Sequence, residues 1–121
     1  MIFLSLNPFF LLVMNLQVEV VKILLRTTQT ELDVNRASSD SGCTALWWAA
    51  FNGDVEMVKW LIGLRGEELD AEAKGKWFHK EYSPLEIALV ELKEEAAGIL
   101  RKFKDSKNTT VHEIRQELQI V

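Results

Sequence analysis

The chain has 121 residues, 48% hydrophobic and 26% charged, enough for one compact domain or a short repeat array with a core beneath a solvated surface. A formal charge of −4 and a pI near 5.2 argue against a general nucleic-acid binder, which would present a basic face to neutralise phosphates. The single cysteine, Cys43, excludes an internal disulfide and fits a reducing compartment.

From Met1 to Val18 no side chain is charged. A secretory signal would want a positive start and a small-residue cleavage site, and a spanning helix of about 20 apolar residues would be interrupted by Asn7-Pro8, Asn15 and Gln17. The third reading is an internal repeat: NPFFLLVMNLQVEVVKILL, from Asn7, aligns without a gap on TALWWAAFNGDVEMVKWLI, from Thr44. The pairs Asn15/Asn52, Val18/Val55, Glu19/Glu56, Val21/Val58, Lys22/Lys59 and Leu24/Leu61 are identical. On that reading Asn7 caps a first helix and Pro8 takes its opening position, where the missing N–H is no loss. Leu16 replaces a turn glycine, and Val18 to Leu25 form a second helix with Val18, Val21, Leu24 and Leu25 on one side, packed rather than inserted in lipid. Met1 to Leu6 has no capping element and no polar outer face, so this end is either a truncated array or is covered by a partner, a second copy or a membrane surface.

Arg26 to Cys43 connects this unit to the next, with turn formers at Ser38-Ser39-Asp40-Ser41-Gly42. Thr44 is placed to cap a helix over Ala45 to Phe51, in which Ala45, Ala49 and Ala50 allow close approach while Leu46, Trp47 and Trp48 supply apolar area. Asn52-Gly53 ends it, since glycine enters the left-handed region without steric cost. Asp54 caps a second helix whose Val55, Val58, Leu61 and Ile62 form one stripe, with Glu56 and Lys59 outside. Neither helix is long enough to be stable alone, so each needs neighbours.

GCTALWWAA followed by NGDVEMVKWLI resembles an ankyrin repeat through Thr44, Ala45, Leu46, Ala49, Ala50, Gly53, Val58, Leu61 and Ile62. The 37-residue offset between Asn7 and Thr44 is near the roughly 33 of this class. The resemblance implies an all-α, ankyrin-type solenoid of stacked helix-turn-helix pairs joined by β-hairpin or loop connections. Trp47 stands where the family usually has a histidine that hydrogen-bonds to neighbouring loops, so bulk packing is expected to replace that polar tie. Leu32-Asp33-Val34-Asn35 resembles the segment that enters an ankyrin hairpin, and Leu69-Asp70-Ala71-Glu72 repeats it.

The connection Gly63 to Tyr82 ends in Lys74-Gly75-Lys76-Trp77-Phe78-His79-Lys80-Glu81-Tyr82, three aromatics and a histidine among lysines. Exposed Trp and Tyr on a scaffolded loop make binding anchors; alternatively Trp77 or Phe78 folds back over the helices as a local lid, or the tip stacks on nucleic-acid bases. The next unit opens with Ser83 as cap and Pro84 at the first helical position, then runs to Val90. Leu92 stands where Gly53 stood, which predicts a tighter or more continuous turn. Ala96, Ala97, Ile99, Leu100 and Phe103 make the stripe of a helix from Lys93 to Phe103. Lys104 to Asn108 reads as a polar break, and Thr110 to Glu113 as a capping box for a terminal cap helix. The whole is one repeat domain over 1–121, with units near 7–39, 40–78 and 79–104 and a cap near 109–120.

Catalytic chemistry is thin in this sequence. His79 and His112 are the only imidazoles, and neither is spaced to serve Cys43 as a base or to join carboxylates around a metal. Glu94 and Glu95 are adjacent surface acids, and no glycine-rich phosphate loop follows a strand. The expectation is a non-enzyme with no cofactor and no metal, working in the cytoplasm or nucleus. Its partner is another protein, not nucleic acid or membrane, held by the concave side of first helices and hairpin tips. By resemblance the exposed variable positions are Asp40, Ser41, Cys43, Phe51 and Asn52 in the middle unit and His79, Lys80, Tyr82, Val90 and Glu91 in the third. Trp77 and Phe78 lie in the inserted tip, and Trp48 is the more exposed of the tryptophan pair. The alternative is a structural or self-associating fragment of a longer array, its apolar N-terminal unit docking on another repeat, chain or membrane; the chain is otherwise a monomer.

Overall fold

The structure, a computed structural model, describes residues 18–27 and 33–120. Helix α1 is Val18–Thr27, α2 Ala45–Asn52 and α3 Val55–Arg65. Strands β1, Gly75–Trp77, and β2, Lys80–Tyr82, follow, and then α4, Pro84–Val90, α5, Glu94–Asp105, and α6, Lys107–Leu118. The expectations for Asn7, Pro8 and Leu16, and for the side chains of Val18, Leu24 and Leu25, fall outside the described residues.

Local chemistry sets the central pair. Thr44 accepts the Trp47 N–H on its hydroxyl at 3.2 Å, and Asp54 accepts the Met57 N–H at 3.1 Å, so both helix starts have a side-chain partner for an otherwise unpaired donor. Between them Gly53 turns the chain at φ 67°. The third unit starts in the same way with an addition: Ser83 accepts the Glu86 N–H at 3.1 Å and Glu86 reaches back to the Ser83 N–H at 2.8 Å, a full capping box.

The pairs then stack. First helices α2 and α4 pack side by side, while α1 lies on α3, and α3 meets α5 in a second layer. Leu46, Ala49, Ala50, Val58, Leu61, Ile87, Ala88, Ala97 and Leu100 form one core between these layers. The connecting loops carry the same period. The Asn35 N–H donates to the Asp33 carboxylate at 3.0 Å, and the Glu72 N–H does the same to Asp70 at 2.9 Å. Asn35 also joins the two loops, its amide donating to the Glu68 carbonyl and accepting from the Asp70 N–H, each at 2.7 Å.

Three features depart from the sequence-based expectation. The Leu92 turn is neither tighter nor more continuous than the middle one. Leu92 adopts φ 59° and pairs Leu92 N–H with Leu89 C=O and Lys93 N–H with Ala88 C=O, matching Gly53 with Ala50 and Asp54 with Ala49. The stacking of α4 on α2 fixes where the chain must reverse, and the side chain yields to it. Next, α3 is buried on more than one stripe: Met57 and Trp60 are buried too, because α1 and α6 close on it, with Lys22 Nζ 4.2 Å from the Trp60 ring and Lys59 bonded to Glu117.

The third concerns α6. It begins at Lys107 rather than at Thr110, after a break of the single residue Ser106, and Thr110 is buried inside it rather than capping it. It packs on α3 and α5. Val111 and Ile114 face that layer, and Arg115 donates to the Gly63 carbonyl at 2.7 Å and to Glu67 at 2.9 Å. The helix therefore lies on the back of the second-helix layer instead of extending the first.

Candidate interaction site

The hairpin between α3 and α4 is held from two sides. On its outer edge, the Lys76 N–H donates to the Ser41 carbonyl at 2.8 Å, so β1 pairs with the loop of the preceding unit. On its inner side, Trp47 Nε1 donates to the Tyr82 carbonyl at 3.0 Å. The expected loss of a polar tie at Trp47 is thus corrected. The ring is fully buried, yet its indole N–H reaches the neighbouring hairpin as a histidine would.

Cys43 requires a second correction. The resemblance puts it among exposed positions, but it is 1% exposed, beneath the start of the hairpin. A Cβ on Gly75 would lie 2.5 Å from Cys43 Sγ and 3.0 Å from Trp47 Nε1, so the strand approaches too closely for any side chain there. Burial pushes the Cys43 thiol above its ordinary range, partly opposed by the Ser41 hydroxyl bonded to it at 3.2 Å. A buried protonated thiol is a packing group, not a nucleophile or a contact residue.

Strand pairing decides which side chains share a face. Trp77 is opposite Lys80, Gly75 opposite Tyr82 and Lys76 opposite Glu81. Trp77, Lys80 and Tyr82 therefore line one face of the ribbon, and Lys76 and Glu81 the other. The first face meets α2 through an unbroken run of rings. Trp47 stacks on Phe51 at 5.4 Å with planes 9° apart, Phe51 meets Trp77 edge to face at 4.7 Å, and Trp77 meets Phe78 at 4.7 Å. Trp48 joins the run edge-on to both Trp47, at 5.1 Å, and Phe51, at 5.5 Å. Four rings lead from a core position to the tip of a loop, with Trp48 packed beside the first two.

At the end of the run, Phe78 is 80% exposed. It and His79 make the two-residue turn with φ 49° and 66°, the left-handed conformation that hairpins of this length favour and that Asn-Gly adopts most readily. A bulky aromatic in that region is strained. Of the three sequence readings of the tip, the lid describes Trp77, which folds back on α2, and the exposed anchor describes the position of Phe78, which projects.

Of the other expected contact residues, Asp40, Asn52, His79, Lys80 and Val90 are exposed, and Ser41, Trp48, Phe51, Tyr82 and Glu91 are half-buried. Trp48, Phe51, Trp77 and Phe78 come together through ring contacts, and Asp40 and Ser41 sit beside β1. Val90 and Glu91 belong to the far end of α4, on the first-helix layer but away from the hairpin. Asp40 keeps its carboxyl below the ordinary value of 3.8, chiefly through the Ser38 hydroxyl. Lys74 and Lys76, which the sequence analysis sets among the tip lysines but not among the contact residues, are both exposed beside the tip. No group of three or more His, Cys, Asp or Glu side chains that could hold a metal occurs among the described residues. No helix among them is long and apolar enough to cross a membrane.

Stacked helix pairs, loops repeated at one period and a projecting hairpin between units define a helical repeat protein. The family model described as Ankyrin repeats (3 copies) matches residues 4–74, and the chain belongs to the ankyrin repeat family. No curated protein matches it in sequence. Among solved structures it is similar to a chain in the structure titled Bd0816 predatory endopeptidase from Bdellovibrio bacteriovorus in complex with immunity protein Bd3460. That likeness has a TM-score of 0.64 at 18% identity and covers 93% of this chain. The chain spans 64% of the length of its counterpart there, and at this identity the likeness concerns the fold. Ankyrin repeats serve in general as protein–protein interaction modules.

Proposed function

We propose that this chain is a non-catalytic recognition module that grips a partner protein with the concave face formed by α2, α4 and the hairpin. The single observation that carries the reading is Phe78: a large apolar side chain, 80% exposed, in a strained left-handed turn and braced by Trp77 on Phe51. Strain of this kind at an exposed aromatic is a feature of binding sites, because it presents a rigid anchor whose ordering cost is met before the partner arrives. Trp48, Phe51, Lys80 and Tyr82 would surround the anchor, and Asp40, Asn52, Val90 and Glu91 would form the rim. An intracellular setting, cytoplasmic or nuclear, belongs to the same reading and is supported by the lone buried thiol of Cys43.

The test is affinity capture from the source cell by the intact chain and by Phe78→Ala. The variant should keep its circular dichroism spectrum, since the removed ring is exposed, and lose the captured partner. Equal capture by both would remove the tip from the interface. Trp77→Ala is less suited to the purpose, because Trp77 packs on Phe51 and its loss would loosen the hairpin itself.

A further inference from the structure

The charges around the tip narrow the partner's chemistry. Lys74, Lys76 and Lys80 are all exposed, and within residues 74–82 the only acid is Glu81. No ion pair among the described residues engages any of the three lysines. The strand register puts Lys80 on the face of Trp77, next to the ring run and with no acid on that face of the ribbon, while Lys76 on the opposite face stands across from Glu81, so the ribbon beside Phe78 carries two positive charges to one negative. This is a local reversal on a chain whose net charge is −4. The neighbouring loop, bonded to β1 through Ser41, carries the ionised Asp40, so the rim changes sign from one unit to the next.

From this polarity we infer that the segment bound here is acidic and carries one large apolar side chain, its carboxylates lying along Lys76 and Lys80 and its apolar group against Phe78. The inference rests on the tip being the binding site. An apolar contact alone would leave partner and orientation open; carboxylates beside it are drawn to the hairpin and turned away from Asp40, which fixes direction.

A phage-displayed library of random 12-residue peptides, selected on the full chain and counter-selected on Phe78→Ala, tests both levels. The expected consensus sets Asp or Glu beside a Phe, Trp or Leu. A synthetic peptide of that consensus, followed by fluorescence anisotropy, should bind about threefold to tenfold more weakly to Lys76→Gln/Lys80→Gln, and should weaken when salt is raised from about 0.05 to about 0.5 M. A basic or uncharged consensus that still needs Phe78, or an acidic one insensitive to salt and to the lysine pair, overturns the acidic partner and leaves the tip standing. Failure to recover any peptide dependent on Phe78 overturns the tip and the inference together.

Discussion

Replacing Phe78-His79 by Asn-Gly should make the protein more stable and unable to bind. Both residues hold positive φ, 49° and 66°, which costs a residue with an ordinary side chain about 1–2 kcal/mol. Glycine at 79 removes that cost and asparagine at 78 reduces it, a gain of about 1.5–3 kcal/mol for the pair. Two terms oppose it. The contact of Phe78 with Trp77, ring centroids 4.7 Å apart, contributes about 0.5–1.5 kcal/mol. Glycine in the unfolded chain adds entropy worth about 0.4–1 kcal/mol. At the middle of these ranges the balance is about 0.5 kcal/mol in favour of the variant, a rise in Tm of about 2–3 °C for a domain of this size. Thermal melts followed by circular dichroism measure it, and partner capture measures the loss. A Tm lowered by more than about 4 °C, beyond what the two opposing terms can take away, would show that the turn is relaxed with phenylalanine in it, and strain could then no longer be used to locate the site.

Leu92→Gly should likewise stabilise, by about 0.5 kcal/mol in urea titration, because Leu92 is 81% exposed at φ 59° and its side chain gives little burial in return for the strain. Trp47→Phe should cost about 2–4 kcal/mol, since it removes the donor to the Tyr82 carbonyl and leaves a gap in the core; a shift of the urea midpoint reads it. Glu86→Gln should have a pH-dependent effect. The Ser83 N–H holds the Glu86 carboxyl below its ordinary 4.5, so the charge contributes stability above that pH and loses it as pH falls through the lower folded value. The wild type should therefore melt above the variant at neutral pH, and the gap should shrink once pH drops below 4.5 and close below the lowered folded value.

The fold was legible where local and tertiary demands agree. Thr44, Asp54, Ser83 and Gly53 announce helix ends by their own chemistry, and the apolar stripe of the third unit matches the buried side of α5 at Ala96, Ala97, Leu100 and Phe103. What escaped was set by packing at a distance. Leu92 resembles a helix residue until α4 must lie on α2. Thr110 fits a cap until α6 begins a turn earlier to bring Val111 and Ile114 onto α3. Cys43 looks like a surface position because only the approach of Gly75, 32 residues later, buries it. The tip was half legible: its composition marked it as unusual, but strand register alone separates Trp77, turned inward, from Phe78, turned out. Trp47 is the instructive case, since its apolar bulk hid a hydrogen bond that the size of the indole makes possible.

On the proposed function, stability and recognition fall on different layers of this stack. Helix α6 is fastened to the second-helix layer by Arg115 on the Gly63 carbonyl, by Glu117 on Lys59 and by the burial of Val111 and Ile114, and the ring run departs from α2 in the first. The last helix can thus add burial to a short array without occupying the face where the hairpin stands. The rings themselves join the two roles. Trp47 is buried in the core, Phe51 and Trp77 are half-buried and Phe78 is exposed, so each ring is seated on one more deeply fixed than itself. A lone phenylalanine on a surface turn would sample many rotamers and lose that freedom on binding. On the proposed function, the contact of Phe78 with Trp77 takes part of that loss during folding and leaves the exposed remainder of the ring free to act on a partner.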